Sequence, residues 1–258
     1  MSRKESVDAL RKKIDQVDEK IVELLNERAS LAQKIGQSKN LGRQEVFVPS
    51  REKEILQRLS ALNRGPLPEQ SVHSIYREIL SASRSLEAPI NVVYFGPEAT
   101  FTHMAARARF GSSSTFVPMA GIADVFQEVS RGRADYGVVP IENSTEGVVT
   151  HTLDMLMEAD VKICAEVFLE IHLYLLSRSG KAEEIRQIVS HPQALAQCRR
   201  WLASHCPSIR VNEVASTAQA AQMAAIDSNL AAVASSLAKE LYGLEVVEEN
   251  IEIGRAHV

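Results

Sequence analysis

The sequence predicts two domains of different class: an all-α domain over residues 1–88 and an open α/β domain over 90–251. Two observations carry this. Apolar residues in the first stretch recur at steps of three and four, the spacing of a helix face. From Ile90 onward, short β-branched runs alternate with helical stretches, the rhythm of an α/β sheet. The boundary falls within 86–91, where Pro89 interrupts the last helical pattern.

In the first domain the apolar positions Val7, Leu10, Ile14, Val17, Ile21, Leu24, Leu31 and Ile35 form a heptad-type seam, with no Gly or Pro before Gly36. A helix of about 30 residues spans about 45 Å, more than a small domain covers alone, so pairing with a second copy is expected. The seam register calls for an apolar residue at position 28 and the sequence has Arg28. A buried guanidinium needs a partner, which is either a bound anion or an interhelical salt bridge. A second helix follows Pro49, with Ser50 as its N-cap candidate. A third follows Pro68, with Val72, Ile75, Tyr76, Ile79, Leu80 and Leu86 on one face, and Ser83 and Glu87 on that same face. Polar residues breaking the apolar stripes of two helices predict one shared polar cavity in a helical bundle. Ser83 also fits as a small packing residue and Glu87 as a fraying helix end. Periodicity alone is compatible with Arg11 and Lys39 on a solvated face.

In the second domain strands are expected at 91–95, 114–117, 136–141, 161–165, 171–176, 185–190, 209–214 and 230–234. Helices are expected at 102–110, 122–131, 148–158, 192–205, 217–225 and 235–241. This many units can form two lobes with a cleft between them. The segments after several strands open with hydroxyl, amide or glycine groups: "GPEATFTH" with Thr100, "ENST" with Glu142, Asn143, Ser144 and Thr145, "SHPQ" with Ser190, His191 and Gln193, and "STAQ" with Ser216. Each alone reads as a strand-to-helix loop with an ordinary N-cap. Together they present several helix N-termini to one sheet edge, a surface suited to carboxylates. With no metal-ligand spacing and no glycine-rich dinucleotide loop, they favour a small polyanionic organic ligand and no cofactor or metal.

Composition narrows the classes further. The chain has 258 residues, 45% apolar and 24% charged, as in an ordinary globular protein. Its 29 basic and 33 acidic residues leave a net charge of −4, which argues against a nucleic-acid partner. Cys164, Cys198 and Cys206 form no CxxC pair, pointing to a reducing cytoplasm rather than a disulfide scaffold. The N-terminus leads into a charged helix without the apolar core of a signal peptide. No apolar run is long enough for a membrane span.

The ordered set of motifs resembles the bifunctional chorismate mutase/prephenate dehydratase family of phenylalanine biosynthesis. The first 88 residues are similar to the mutase domain through Arg11, "NERASLAQKIGQSK", "PSREKEIL" and "REILSASRSLE"; residues 90–251 are similar to the dehydratase domain through "YFGPEATFTHMAA", "DYGVVPIENSTEGVV", "SHPQALAQC" and "STAQAA". The resemblance implies three helices in an intertwined homodimer, then a two-lobed α/β domain like a periplasmic binding protein. It implies that Arg28, and Arg11 of the partner subunit, bind the carboxylates of chorismate. Lys39 and Glu87 would flank the ether oxygen, Glu52 would accept from the substrate hydroxyl, and Ser83 would assist a carboxylate. Arg51 is carried over with them, and Val48, where some relatives are acidic, could contribute only backbone. Prephenate would then lose water and carbon dioxide in a pocket formed by Thr100, Glu142, Asn143, Ser144, Thr145, Ser190, His191, Gln193 and Ser216.

Two departures accompany the resemblance. After "VVEENI" the sequence has neither the family's Thr-Arg-Phe motif nor its phenylalanine-sensing ACT domain, which implies impaired dehydratase turnover and no feedback inhibition. Residues 252–258 are those that a common sequencing adapter encodes when back-translated, and are expected to be non-native. A competing reading is a monofunctional mutase with a non-catalytic α/β module that binds an aromatic acid.

Overall fold

The computed structural model describes residues 6–40, 47–143 and 147–252. The chain divides into two compact units, Met1–Ile90 with Phe110–Thr115, and Asn91–Arg109 with Phe116–Val258. The helical unit holds α1 (Val7–Asn40), α2 (Pro49–Leu62) and α3 (Glu69–Glu87). α1 continues through Gly36, where the sequence suggested its end. A Cβ at that position would lie 2.8 Å from Glu87 Cγ and 3.0 Å from its Cβ, so glycine serves the close approach of α3 rather than a turn. The N-cap of α2 is Val48, not Ser50. Pro49 takes the first helical position, where no N–H is required, and holds Val48 in an extended conformation.

All eight apolar seam residues of α1 are exposed within one chain. In its C-terminal half, solvent is lost instead at Arg28, Ala29, Ala32 and Gly36, as α1 packs along α3. The segment Phe110–Thr115 joins this unit through three residues of α3 spaced three apart. Glu78 accepts from the Ser112 N–H, the Ser81 hydroxyl accepts from the Ser113 N–H, and Arg84 donates to the Phe110 carbonyl.

The α/β unit begins with β1 (Asn91–Phe95), α4 (Phe101–Phe110), β2 (Thr115–Met119), α5 (Ile122–Ser130) and β3 (Tyr136–Val138). These strands form a three-stranded sheet in the order β2-β1-β3, with β1 and β3 parallel. Next come the short arms β4 (Glu142–Asn143) and β5 (Gly147–Val148), paired antiparallel, and α6 (Thr150–Glu158). The remainder is β6 (Tyr174–Ser177), β7 (Gln187–Ser190), α7 (Pro192–His205), β8 (Arg210–Glu213), α8 (Thr217–Ile226), β9 (Leu230–Ala234), α9 (Ser236–Tyr242) and β10 (Glu245–Glu248). Their sheet runs β10-β6-β9-β7-β8. β7 is parallel to both its neighbours, whereas β6 is antiparallel to β9 and β10.

Some expected strands differ. Residues 161–165 form none: Ile163 is 73% exposed, and β-branched composition without a pairing edge does not make a strand. The strand expected at 136–141 ends at Val138, before Pro140, which has no N–H for a ladder. β10 is a further strand that the periodicity does not predict, because its two valines lie between glutamates, as on a charged edge strand. Glu252, assigned to the non-native tail by sequence, accepts from the Leu173 N–H at 2.8 Å; the rest of that tail lies outside the described residues.

Small residues make the core of the larger sheet. Ala218, Ala220, Ala221, Ala224, Ala232, Ala234 and Ala238 pack with Leu176 and Val189, and Ala99 joins them from the loop after β1. That loop rests on Tyr94, whose ring stacks 4.5 Å from His103. His103 Nδ1 accepts from the Ala99 N–H at 3.2 Å. Burial holds the His103 pKa below its ordinary value and the nearby Arg107 lowers it further, with Glu98 opposing. As pH falls, the unfolded imidazole therefore takes up a proton before the folded one, and stability is lost as pH drops through the lowered folded value. The melting temperature of the α/β unit is expected to fall between pH 7 and 5. His103→Asn keeps an acceptor but does not titrate, so it is expected to show a smaller fall; an equal fall in both proteins would remove His103 as the cause.

Candidate functional site

The three helices bring one cluster together. Arg28, half-buried on α1, donates through Nη1 to the Ser83 hydroxyl of α3. Ser83 in turn donates to the Ile79 carbonyl at 2.7 Å, which fixes its oxygen as an acceptor toward Arg28. On the same turn of α3, Arg84 Nη1 pairs with Oε1 of Glu52 from α2. Both side chains are largely enclosed, at 8% and 14% exposure. Glu87, one turn further along α3, lies against Gly36 of α1. Lys39 follows Gly36 by three residues on α1; its side chain lies outside the described residues.

Other sequence-selected residues stand apart from this cluster within one chain. The Arg11 side chain is 74% exposed, 3.6 Å from Asp8. It precedes Arg28 by 17 residues on one helix, a distance of about 26 Å along the axis. Arg51 is exposed and pairs with Glu54 at 2.9 Å. The Val48 carbonyl accepts from the N–H groups of Arg51 and Glu52, closing the first turn of α2.

In the α/β unit, β7, β8 and β9 are parallel, so α7, α8 and α9 all begin at the same sheet edge. His191 caps α7, its Nδ1 accepting from the Gln193 N–H at 3.3 Å. Ser216 caps α8, accepting from the Gln219 N–H at 3.0 Å, while Gln219 accepts from the Ala215 N–H. The Gln193 amide nitrogen is enclosed and has no hydrogen-bond partner among the described residues. Ser190 has another task. It is fully buried and its hydroxyl donates to the Val233 carbonyl, bracing β7 against β9.

The loop after β1 meets this edge, because Ser235 at the start of α9 donates to the Ala99 carbonyl at 3.0 Å. Ala99 has φ +65, a left-handed conformation unusual for a residue with a Cβ, and the loop is further closed by Thr100 donating to the Pro97 carbonyl. In "PIENSTEG", Glu142 is exposed on β4, the Pro140 carbonyl accepts from Thr152, and the Ile141 carbonyl accepts from the Val149 N–H. The antiparallel pair β4 and β5 thus stands between β3 and α6, where a direct strand-to-helix loop was expected. Ser144, Thr145 and the Asn143 side chain lie outside the described residues.

Sequence reasoning passed over Arg84. The signal was available: Arg84 is four residues after the buried Leu80, so it interrupts the apolar face of α3 as Arg28 interrupts that of α1.

Comparison with known proteins assigns both units. The chorismate mutase type II family matches residues 10–88 and the prephenate dehydratase family matches residues 92–256. The bifunctional chorismate mutase/prephenate dehydratase of Aquifex aeolicus is 49% identical over 252 residues, covering 96% of this chain and 70% of that protein. The Pseudomonas aeruginosa enzyme of the same name is 46% identical over 258 residues, covering 98% and 71%. The structure of prephenate dehydratase from Arthrobacter aurescens in complex with L-Phe superposes with a TM-score of 0.57 at 34% identity, over 63% of this chain and 56% of that one. These matches favour two activities over a lone mutase with a passive module. The helical cluster and the α/β sheet edge accordingly belong to one enzyme, and the chain is a member of the bifunctional chorismate mutase/prephenate dehydratase family, an isomerase and a lyase of phenylalanine biosynthesis.

Proposed function

We propose that the helical unit rearranges chorismate where Arg28, Ser83, Glu52 and Glu87 converge. The observation that carries this reading is Arg28. Its bond within the chain is to a neutral hydroxyl, and that leaves its charge for an anionic ligand. Chorismate is a dianion, and its pericyclic rearrangement requires no nucleophile, metal or proton transfer. The protein's task is to hold the folded substrate and stabilise the charge that builds on the ether oxygen. Arg28 binds one carboxylate with help from Ser83, Glu52 accepts from the hydroxyl, and Lys39 and Glu87 flank the ether oxygen. Arg51 and the backbone of Val48 sit at the margin of this set.

Arg11 completes the site from a second subunit. About 26 Å of helix separates it from Arg28, so no single α1 can deliver both to one substrate. The exposed apolar seam of α1 gives the second copy its contact surface, in an isologous homodimer.

In the α/β unit, prephenate occupies the sheet edge where α7, α8 and α9 begin. The enclosed, unmatched amide of Gln193 supports an oxygen-bearing ligand there. His191, Ser216 and Thr100 shape that edge, with Glu142, Asn143, Ser144 and Thr145 of "PIENSTEG" as further ligand contacts and Ser190 acting from beneath. No described helix is long and apolar enough to cross a membrane, and the cysteines Cys164, Cys198 and Cys206 are unpaired. We place the enzyme in the cytoplasm.

Arg28→Ala is expected to lower mutase kcat/KM by about 100-fold, with little rescue by Arg28→Lys, which lacks the planar fork. Mixing Arg28→Ala with Arg11→Ala subunits is expected to restore activity, since a mixed dimer has one intact site. Failure to recover activity after subunit exchange would reject the shared site.

Gly36→Ala tests the approach of Glu87. Alanine favours the helix, so helical content is expected to persist, while the added methyl displaces Glu87 and mutase kcat falls about tenfold or more. Unchanged kcat would remove Glu87 from the reaction. Glu87 can donate to the ether oxygen only as the neutral acid. Glu87→Gln, which always donates, is therefore expected to retain mutase kcat, whereas Glu87→Ala, which cannot donate, is expected to lower it about tenfold or more. Equal kcat in Glu87→Ala and Glu87→Gln would contradict the role.

A further inference from the structure

We propose that Arg84 is a positioning residue of the mutase site, which fixes the Glu52 carboxylate and thereby sets discrimination for the ring hydroxyl of chorismate. The proposal rests on the reading that Glu52 accepts from that hydroxyl. Arg84 is itself held on three sides. It pairs with Glu52, donates through Nη2 to the Phe110 carbonyl, and lies with its guanidinium carbon 5.1 Å from the centre of the Phe47 ring. Phe47 is 1% exposed and packs against the Phe110 ring at 5.0 Å, so the surface beneath the guanidinium is rigid as well. A planar cation constrained in this way cannot follow the carboxylate. Instead, the carboxylate is aligned to it.

The sequence order adds geometric force. Ser83 and Arg84 are adjacent on α3, and each receives or gives a bond to a different helix: Ser83 to Arg28 of α1, Arg84 to Glu52 of α2. The two groups assigned to opposite parts of the substrate are therefore referenced to one turn of one helix. Engagement of Glu52 Oε1 by Arg84 sets the direction in which Oε2 points. Enclosure of the pair excludes the water that would otherwise let the carboxylate rotate.

The test compares kcat/KM for chorismate with kcat/KM for an analogue carrying hydrogen in place of the ring hydroxyl, using the full chain. A general loss of packing lowers both values, whereas loss of Glu52 alignment lowers their ratio. Glu52→Ala is expected to reduce the ratio about tenfold or more, and Arg84→Met by a similar factor, with the double variant no lower than either. Arg84→Lys keeps the charge but loses the fork, and is expected to fall between Arg84→Met and the native protein. Circular dichroism establishes that each variant is folded. If Arg84→Met does not fold, Arg84→Lys carries the measurement, and a native ratio in it overturns the proposal. A native ratio in folded Arg84→Met, beside a reduced ratio in Glu52→Ala, overturns the role of Arg84 alone. A native ratio in Glu52→Ala overturns the hydroxyl reading beneath it.

Discussion

The burial of charge on the inner face of α3 is the constraint on which the helical unit depends. Two arginines lose solvent here, Arg84 on α3 and Arg28 of α1 against the adjacent Ser83, and a buried guanidinium is costly without an acceptor. Arg84 is paired with Glu52 of α2, while Arg28 donates to the neutral Ser83 hydroxyl of α3 and keeps its charge, so these bonds define how the three helices must be placed relative to one another. The small residues Ala29, Ala32 and Gly36 then let α1 come close enough for those bonds to form. Packing in this unit serves the polar cluster, and the large apolar residues of α1 are left facing outward.

The α/β unit meets its requirement differently. Its polar edge is made mostly of main chain: parallel strands deliver successive helix starts to one side, and each start presents N–H groups that no helix can satisfy internally. Only some of these are closed by the caps His191 and Ser216. Ala99 holds a left-handed conformation at this edge, fastened on one side by His103 and on the other by Ser235. A strained residue braced from both directions keeps its loop in one shape without a ligand, at a cost of about 1–2 kcal/mol.

Much of this was legible in the sequence, and the exceptions have physical causes. β1, α7 and β9 match their expected bounds because their apolar runs end at strong breakers or caps. The run at 161–165 misled because composition reports the tendency to be extended but not the presence of a partner strand. Gly36 misled in the opposite sense, since a glycine that ends a helix and one that admits a neighbouring helix read alike in one chain. Arg28 stood out because a long seam made its register plain. Arg84 did not, because on the shorter α3 a charged residue near the C-terminus is also what the helix dipole favours. What separates the two meanings is the identity of Glu52, and no local pattern links positions 52 and 84.

The two units suit two kinds of chemistry. A pericyclic rearrangement moves electrons within a dianion whose shape must be held while charge shifts toward one oxygen, so fixed side-chain charges on rigid helices are the appropriate instrument. Their value depends on orientation, which is why a cation such as Arg84, buried and bonded in three directions, is worth its desolvation even if it never touches the substrate. Loss of water and carbon dioxide from prephenate instead changes the number of charged groups as it proceeds. A sheet edge of helix N-termini tolerates that change better, because each N–H carries only a partial charge and water can accept from it when a carboxylate departs. A single buried guanidinium there would be left unpaired in the product state. On the proposed reading, arginine in the helical cluster and capping groups and amides at the sheet edge match this difference in what each reaction leaves behind.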